Sequence, residues 1–207
     1  MTYIPEELLD EIEALKDSEK FDEAIRKINL ILAKDPSNEE ALLQIADIHY
    51  RQNEIDKADK AVDFLNTQKK NDPLGLYIKG ILEMEKNNRK EAREILKKAL
   101  DLTNGDNHEI IRCYGLCEYR YGNREKGIIY LKDAFEMNNL DAEVIYNLIQ
   151  LHMLEHSYTK AKEMIHYFYD HHADLKVVDK TLDWYDKKVA LFEKFFATQH
   201  LFTGEKR

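Results

Sequence analysis

Glycine and proline are scarce here, 7 and 3 among 207 residues, where average usage is near 7% and 5%. Sheets need turns built from those residues, so an all-helical chain is expected. The two cysteines, Cys113 and Cys117, are too few for a disulfide framework. They sit one helical turn apart and read as small core residues of a reducing compartment. No apolar stretch approaches the ~18 residues that would suggest a membrane span. The start, Met1 to Glu11, lacks a basic segment followed by an apolar run, so no signal peptide is expected. A cytoplasmic location is the default. Positive charge is in deficit: the net charge of −9 argues against a general phosphate-backbone binder. What the chain does have is a hydrophobic share of 43%, enough to bury a core and to exclude global disorder.

Internal repetition dominates the rest. Phe21-Asp-Glu-Ala24, Ile55-Asp-Lys-Ala58, Arg89-Lys-Glu-Ala92, Arg124-Glu-Lys-Gly127 and Tyr158-Thr-Lys-Ala161 end in small residues 34, 34, 35 and 34 apart. Ile12, Ala46, Gly80, Gly115 and Ile149 repeat those spacings. Each unit holds two amphipathic runs with helical periodicity. Polar breaks separate them at Gln52-Asn53, Asn87-Asn88 and Gly122-Asn123. Asn and Gly accept the left-handed conformation that closes a helix. Small residues on the two helices let their backbones approach.

On these residues the chain resembles the tetratricopeptide repeat (TPR) proteins, whose unit is a helix–turn–helix of about 34 residues. The strongest matches are Leu42, Ile45, Ala46, Ala58, Leu76, Gly80, Ala92, Tyr114, Gly115 and Gly122. Pro36 closes the first repeat as the family favours, and Pro73 opens the third. The resemblance implies a right-handed α-solenoid of five repeats at about 5–38, 39–72, 73–107, 108–141 and 142–172, with a C-terminal capping helix and tail over 173–207. Where the family prefers aromatics around the hinge, Glu83 stands with Arg89, and Glu118 with Arg124. Each is expected to form an ion pair contributing ~0–1 kcal/mol.

The family's concave wall is built from the first helix of each repeat. Counting from the small residue, positions −3, +1 and +4 share a stripe. They are Leu43, Asp47 and Tyr50; Tyr77, Ile81 and Met84; Arg112, Leu116 and Tyr119; and Tyr146, Gln150 and Met153, flanked by Arg51 and Arg120. Lysine is missing from all twelve stripe sites. Tyrosine and arginine are enriched at interfaces, and methionine adapts to varied ligands. This predicts a groove for a peptide or amphipathic helix of a partner protein, in an adaptor, scaffold or chaperone-like module without catalysis. The plainer reading is that some of these tyrosines pack between repeats. A clamp for acidic C-termini is not expected, because its sites here are the apolar Leu74 and Ile78.

No phosphate loop, nucleophile elbow or CxxC pair occurs. His152-Met-Leu-Glu155-His156 fits the H-x-x-E-H pattern of zinc peptidases, which offers a metal-dependent hydrolase as one alternative reading, a structural homo-oligomer being the other. The repeat already explains that spacing, and His156 falls at the turn site held elsewhere by Asn87 and Gly122. No metal, cofactor, nucleic acid or membrane is expected. In the tail, Val178, Leu182, Tyr185, Val189, Phe192 and Phe196 form one apolar line, suited to a cap. A second line includes Trp184, Leu191 and Phe195, which points to a homodimer face unless a broad cap covers both.

Overall fold

The computed structural model describes residues 4–171, 184–185 and 187–191. Every regular element among them is helical, and the chain divides into two compact units, Met1–Asp106 and Asn107–Arg207. In the first unit α1 (Glu6–Asp17) packs on α2 (Phe21–Leu32), α3 (Glu39–Arg51) on α4 (Ile55–Gln68), and α5 (Pro73–Glu85) on α6 (Arg89–Leu102). In the second, α7 (His108–Tyr121) packs on α8 (Arg124–Met137), and α9 (Ala142–Leu154) on α10 (Tyr158–His171). Successive pairs join within each unit through α2–α3, α4–α5 and α8–α9, and α7 also touches α9.

The first helices of repeats two to five begin on a side-chain cap. Asn38, Asp72, Asn107 and Asp141 accept from the N–H of Ala41, Gly75, Ile110 and Val144 at 3.0, 2.8, 3.0 and 3.0 Å. Each such cap contributes ~1 kcal/mol and fixes where the helix enters the repeat. The caps recur every 34 or 35 residues, in step with the small residues.

The turns inside the pairs behave as expected at three places and differently at a fourth. Asn53 and Asn87 take left-handed φ values of 59° and 61°, and His156 takes 56°. Gly122 does not: its φ is −130°. Here only Gly122 and Asn123 separate α7 from α8, and Asn123 caps α8 by accepting the N–H of Lys126 at 2.9 Å. The shorter link has no need of a left-handed residue.

Small residues set the helix spacing. A Cβ on Gly115 would lie 2.9 Å from that of Tyr130 and 3.1 Å from the Leu131 nitrogen. One on Gly127 would come within 2.4 Å of the Tyr119 nitrogen. In the third repeat a Cβ on Gly80 would instead meet the Leu96 side chain, at 2.5 Å. Around these crossings the cores are aliphatic: Ile12, Ala24, Ile28 and Ile48 in the first unit, Ile145, Ile149, Ala161 and Ile165 in the second, all buried.

The expected hinge ion pairs are corrected by the structure. Glu83 is almost fully buried and is served by Asn88 Nδ2 at 2.6 Å and by Lys86 at 3.1 Å, with Lys79 at 3.6 Å. Buried Glu118 accepts the backbone N–H of Asn123 at 2.8 Å, while Arg124 reaches Glu155 instead. A buried carboxylate needs donors close at hand. The turn amides and nearer lysines supply them without extending an arginine into the interior.

Most of the expected capping helix lies outside the described residues, Phe195 included. Within them Val189 is fully buried against the fifth repeat's core, where Tyr185 also packs, whereas Trp184 and Leu191 are 51% and 60% exposed.

Candidate protein-binding surface

In the first unit the stripe lies on α3 and α5. Leu43, Tyr77, Ile81 and Met84 are half-buried, and Tyr50 and Arg51 are exposed. The polar members are already engaged. Asp47 accepts from Lys16 Nζ at 2.6 Å and from Arg51 Nε at 3.1 Å, and Arg51 also lies 3.6 Å from Asp17. Lys16 is the buried centre of this group, bonded to Glu13 and Gln44 at 2.7 Å each. The Tyr50 hydroxyl donates to Glu85 in the next repeat at 3.3 Å.

In the second unit Arg112, Leu116 and Tyr119 on α7, and Tyr146, Gln150 and Met153 on α9, are half-buried, and Arg120 is exposed. Arg112 faces Glu143 at 3.8 Å. Tyr119 donates to Glu155 at 3.0 Å while the Arg124 guanidinium lies 4.8 Å over its ring. Burial, then the bond to Glu155, raises the Tyr119 pKa, so the phenol stays a donor. The bond from Arg124, then that from Tyr119, holds Glu155 below the ordinary carboxylate range. Tyr146 stacks on Phe168 with ring centroids 5.2 Å apart, and Met153 packs on the same core.

The stripe therefore has two kinds of member. Tyr50, Tyr119 and Tyr146 join repeats or cover cores, as the plainer reading holds. Leu43, Ile81, Met84 and Leu116 keep part of their apolar surface in solvent. Sequence reasoning missed the Lys16 cluster. Its signal was there: a lysine at +4 of the first repeat and an aspartate at +1 of the second.

The H-x-x-E-H residues are placed for structure. Glu155 is held by Arg124 and Tyr119, and His156 sits in the left-handed turn with Nδ1 2.8 Å from the Tyr158 hydroxyl. Burial, with Lys160 and Lys132 adding to it, lowers the His152 pKa.

The tetratricopeptide repeat family profile matches residues 15–82. No curated protein matches the sequence. Among solved structures, a thermophilic TPR protein of Thermus thermophilus aligns at a TM-score of 0.74 and 18% identity, over 89% of this chain and 98% of that one. PilW, described as a widely conserved type IV pilus biogenesis factor, gives 0.70 at 21% identity, over 96% and 94%. YrrB, described as a TPR protein with an unusual peptide-binding site, gives 0.52 at 18%, over 87% and 90%. Residues 15–82 thus carry the TPR family's sequence pattern, and the described helices have the all-α fold of TPR proteins. None of the described helices is long and apolar enough to cross a membrane.

Proposed function

We propose that the chain is a non-catalytic adaptor or scaffold that holds a peptide or amphipathic helix of a partner protein on the first-helix faces of its repeats. The observation that carries this reading is the half-buried apolar surface of Leu43, Tyr77, Ile81 and Met84 in the first unit, set at the repeat's register with no lysine among them. A preformed helical face keeps ordering costs on this side of the complex modest. That YrrB is described as having a peptide-binding site supports the class of ligand. A partner recovered by crosslinking from native lysate provides the test. Tyr77→Ala combined with Ile81→Ala should weaken its capture at least tenfold, on the order of 1.4 kcal/mol, with helicity unchanged. Unchanged capture by a folded double variant would remove the reading.

A second association surface is proposed in the tail. Val189 faces the core while Trp184 and Leu191 are exposed, a division that suits a self-complementary apolar face; Phe195, which the sequence spacing adds to it, lies outside the described residues. Light scattering at tens of micromolar should give a mass near two chains for wild type and near one for Trp184→Glu/Leu191→Glu. A monomeric wild type would end the idea.

A further inference from the structure

Charge is unevenly spread over the first-helix face of the first unit. There α1, α3 and α5 lie side by side: Lys16 Nζ on α1 reaches Asp47 on α3 at 2.6 Å, and the Tyr50 hydroxyl on α3 reaches Glu85 on α5 at 3.3 Å. Over α5 the face is apolar, with Tyr77, Ile81 and Met84 half-buried and Leu74 exposed. Over α1 and α3 it is acidic.

Among the described residues the carboxylates of Glu13, Asp17, Glu40, Asp47 and Glu85 meet two cations on this face, Lys16 and Arg51. Lys16 is buried and already divided between Glu13 at 2.7 Å and Asp47 at 2.6 Å. Arg51 lies 3.1 Å from the same Asp47 and 3.6 Å from Asp17. The remaining two carboxylates meet neutral donors. Glu40 shares the Gln44 amide with Glu13, at 3.1 and 2.9 Å, and Glu85 takes the Tyr50 hydroxyl. Burial opposes ionisation of Glu13, yet bonds from Lys16 and Gln44 hold its pKa below the ordinary value, so it stays charged. Asp17 and Glu13 keep 75% and 45% of their side chains in solvent, and Glu40 and Glu85 are exposed. Negative charge on the face is therefore only partly compensated and is open to an incoming cation.

We propose that the segment held here is a basic amphipathic helix of a partner protein, its apolar side chains on Tyr77, Ile81 and Met84 and its lysines or arginines against Asp17, Glu13 and Glu40. This rests on the groove reading above and adds the charge of the ligand. Packed helix axes lie ~8–10 Å apart and a helix rises ~1.5 Å per residue. A ligand helix lying across α5, α3 and α1 thus places its basic positions from ~6–7 residues beyond its apolar anchors. The same carboxylates repel an acidic segment, and a neutral one gains only the apolar half of the face.

Immobilised full-length protein is panned with a display library of random peptides of about 20 residues, long enough as helices to cross all three first helices. Enriched peptides should be net positive, with apolar anchors and basic residues at that separation, and should bind Ile81→Ala about tenfold more weakly. Asp17→Asn/Glu40→Gln keeps the Lys16 pairs and should weaken the same peptides about fivefold, a difference that fades in about 1 M salt. Glu91→Gln/Glu94→Gln makes the same charge change on exposed residues of α6 and should bind as wild type. That control separates a charged site from the general attraction of a chain of net charge −9. Neutral or acidic peptides that depend on Ile81, or equal weakening by the two double variants, would overturn the proposal and leave the groove standing. No enriched peptides, or peptides indifferent to Ile81→Ala, would overturn the proposal and the groove reading together.

Discussion

In the first unit lysines bridge carboxylates between successive helix pairs, and in the second the crossing inside the α7–α8 pair is set by glycine and an aromatic contact. Lys79 lies 2.6 Å from Asp59 and 2.8 Å from Asp63, and Lys86 lies 2.5 Å from Asp59, joining α4 to α5. Lys16 does the same between α1 and α3. In the second unit Gly115 and Gly127 bring α7 and α8 together. An edge-on contact of Tyr114 with Tyr130 at 5.1 Å then fills this pair, and one of Phe135 with Tyr167 at 5.6 Å joins α8 to α10. One fold thus tolerates two kinds of cement. Ion pairs respond to salt and pH, whereas close packing responds to volume.

The largest effect should come from volume. Gly127→Ala drives a methyl group into the Tyr119 backbone, which cannot rotate away, and should cost about 3 kcal/mol, the upper range for overpacking. Urea unfolding with hydrogen exchange would place that loss in α7–α10, and a loss below about 1 kcal/mol would contradict the close crossing.

A smaller effect is expected from charge. Asp59→Asn leaves two lysines short of a carboxylate and should cost about 1 kcal/mol at low salt, because the group is only partly buried. In 1 M salt, where the screening length is about 3 Å, most of that difference should vanish. A loss independent of salt would show that packing, not charge, holds this junction.

The acid limb of stability sharpens the same contrast. Burial opposes ionisation of Asp59 and Glu83, yet hydrogen bonds from Lys79 and Lys86 to the first, and from Asn88 and Lys86 to the second, hold both pKa values below the ordinary 3.8 and 4.5. A depressed folded pKa gives stability that is complete above the unfolded value and lost as pH falls through the folded one. The first unit should therefore weaken below about pH 4.5, and Glu83→Gln should flatten part of that slope in a pH series of melts. An unchanged slope would deny Glu83 this role.

The smallest effect belongs to the tyrosine links. Tyr119→Phe removes the exposed hydroxyl's bonds to Glu155 and from Arg124 and should cost about 0.5 kcal/mol. Tyr50→Phe, whose bond at 3.3 Å is longer, should cost less. The reverse order in thermal melts would mean that the Arg124 stack, not the hydroxyl, secures Tyr119.

The repeat and its two helices were legible because small residues recur with a fixed period, which only a repeated backbone crossing requires. The stripe was legible from the same register. Less legible was which stripe residues are occupied. Tyr50 and Tyr119 reach Glu85 and Glu155, 35 and 36 residues on, and only three-dimensional stacking pairs them. The partners of Glu83 and Glu118 were misassigned for a related reason. Matching opposite charges in sequence ignores the turn amides, and the side chain of Asn88 and the backbone N–H of Asn123 turned out to be donors to those carboxylates.

The proposed recognition surface is the first-helix faces. The second helices offer a rival, since Leu30, Phe64 and Ile129 are 69%, 41% and 56% exposed. A photoreactive residue placed singly at Ile81, Leu116, Phe64 or Ile129, followed by irradiation with the captured partner, decides between them. Adducts from Ile81 or Leu116 and none from Phe64 or Ile129 are the predicted result. Adducts confined to Phe64 and Ile129 would contradict it.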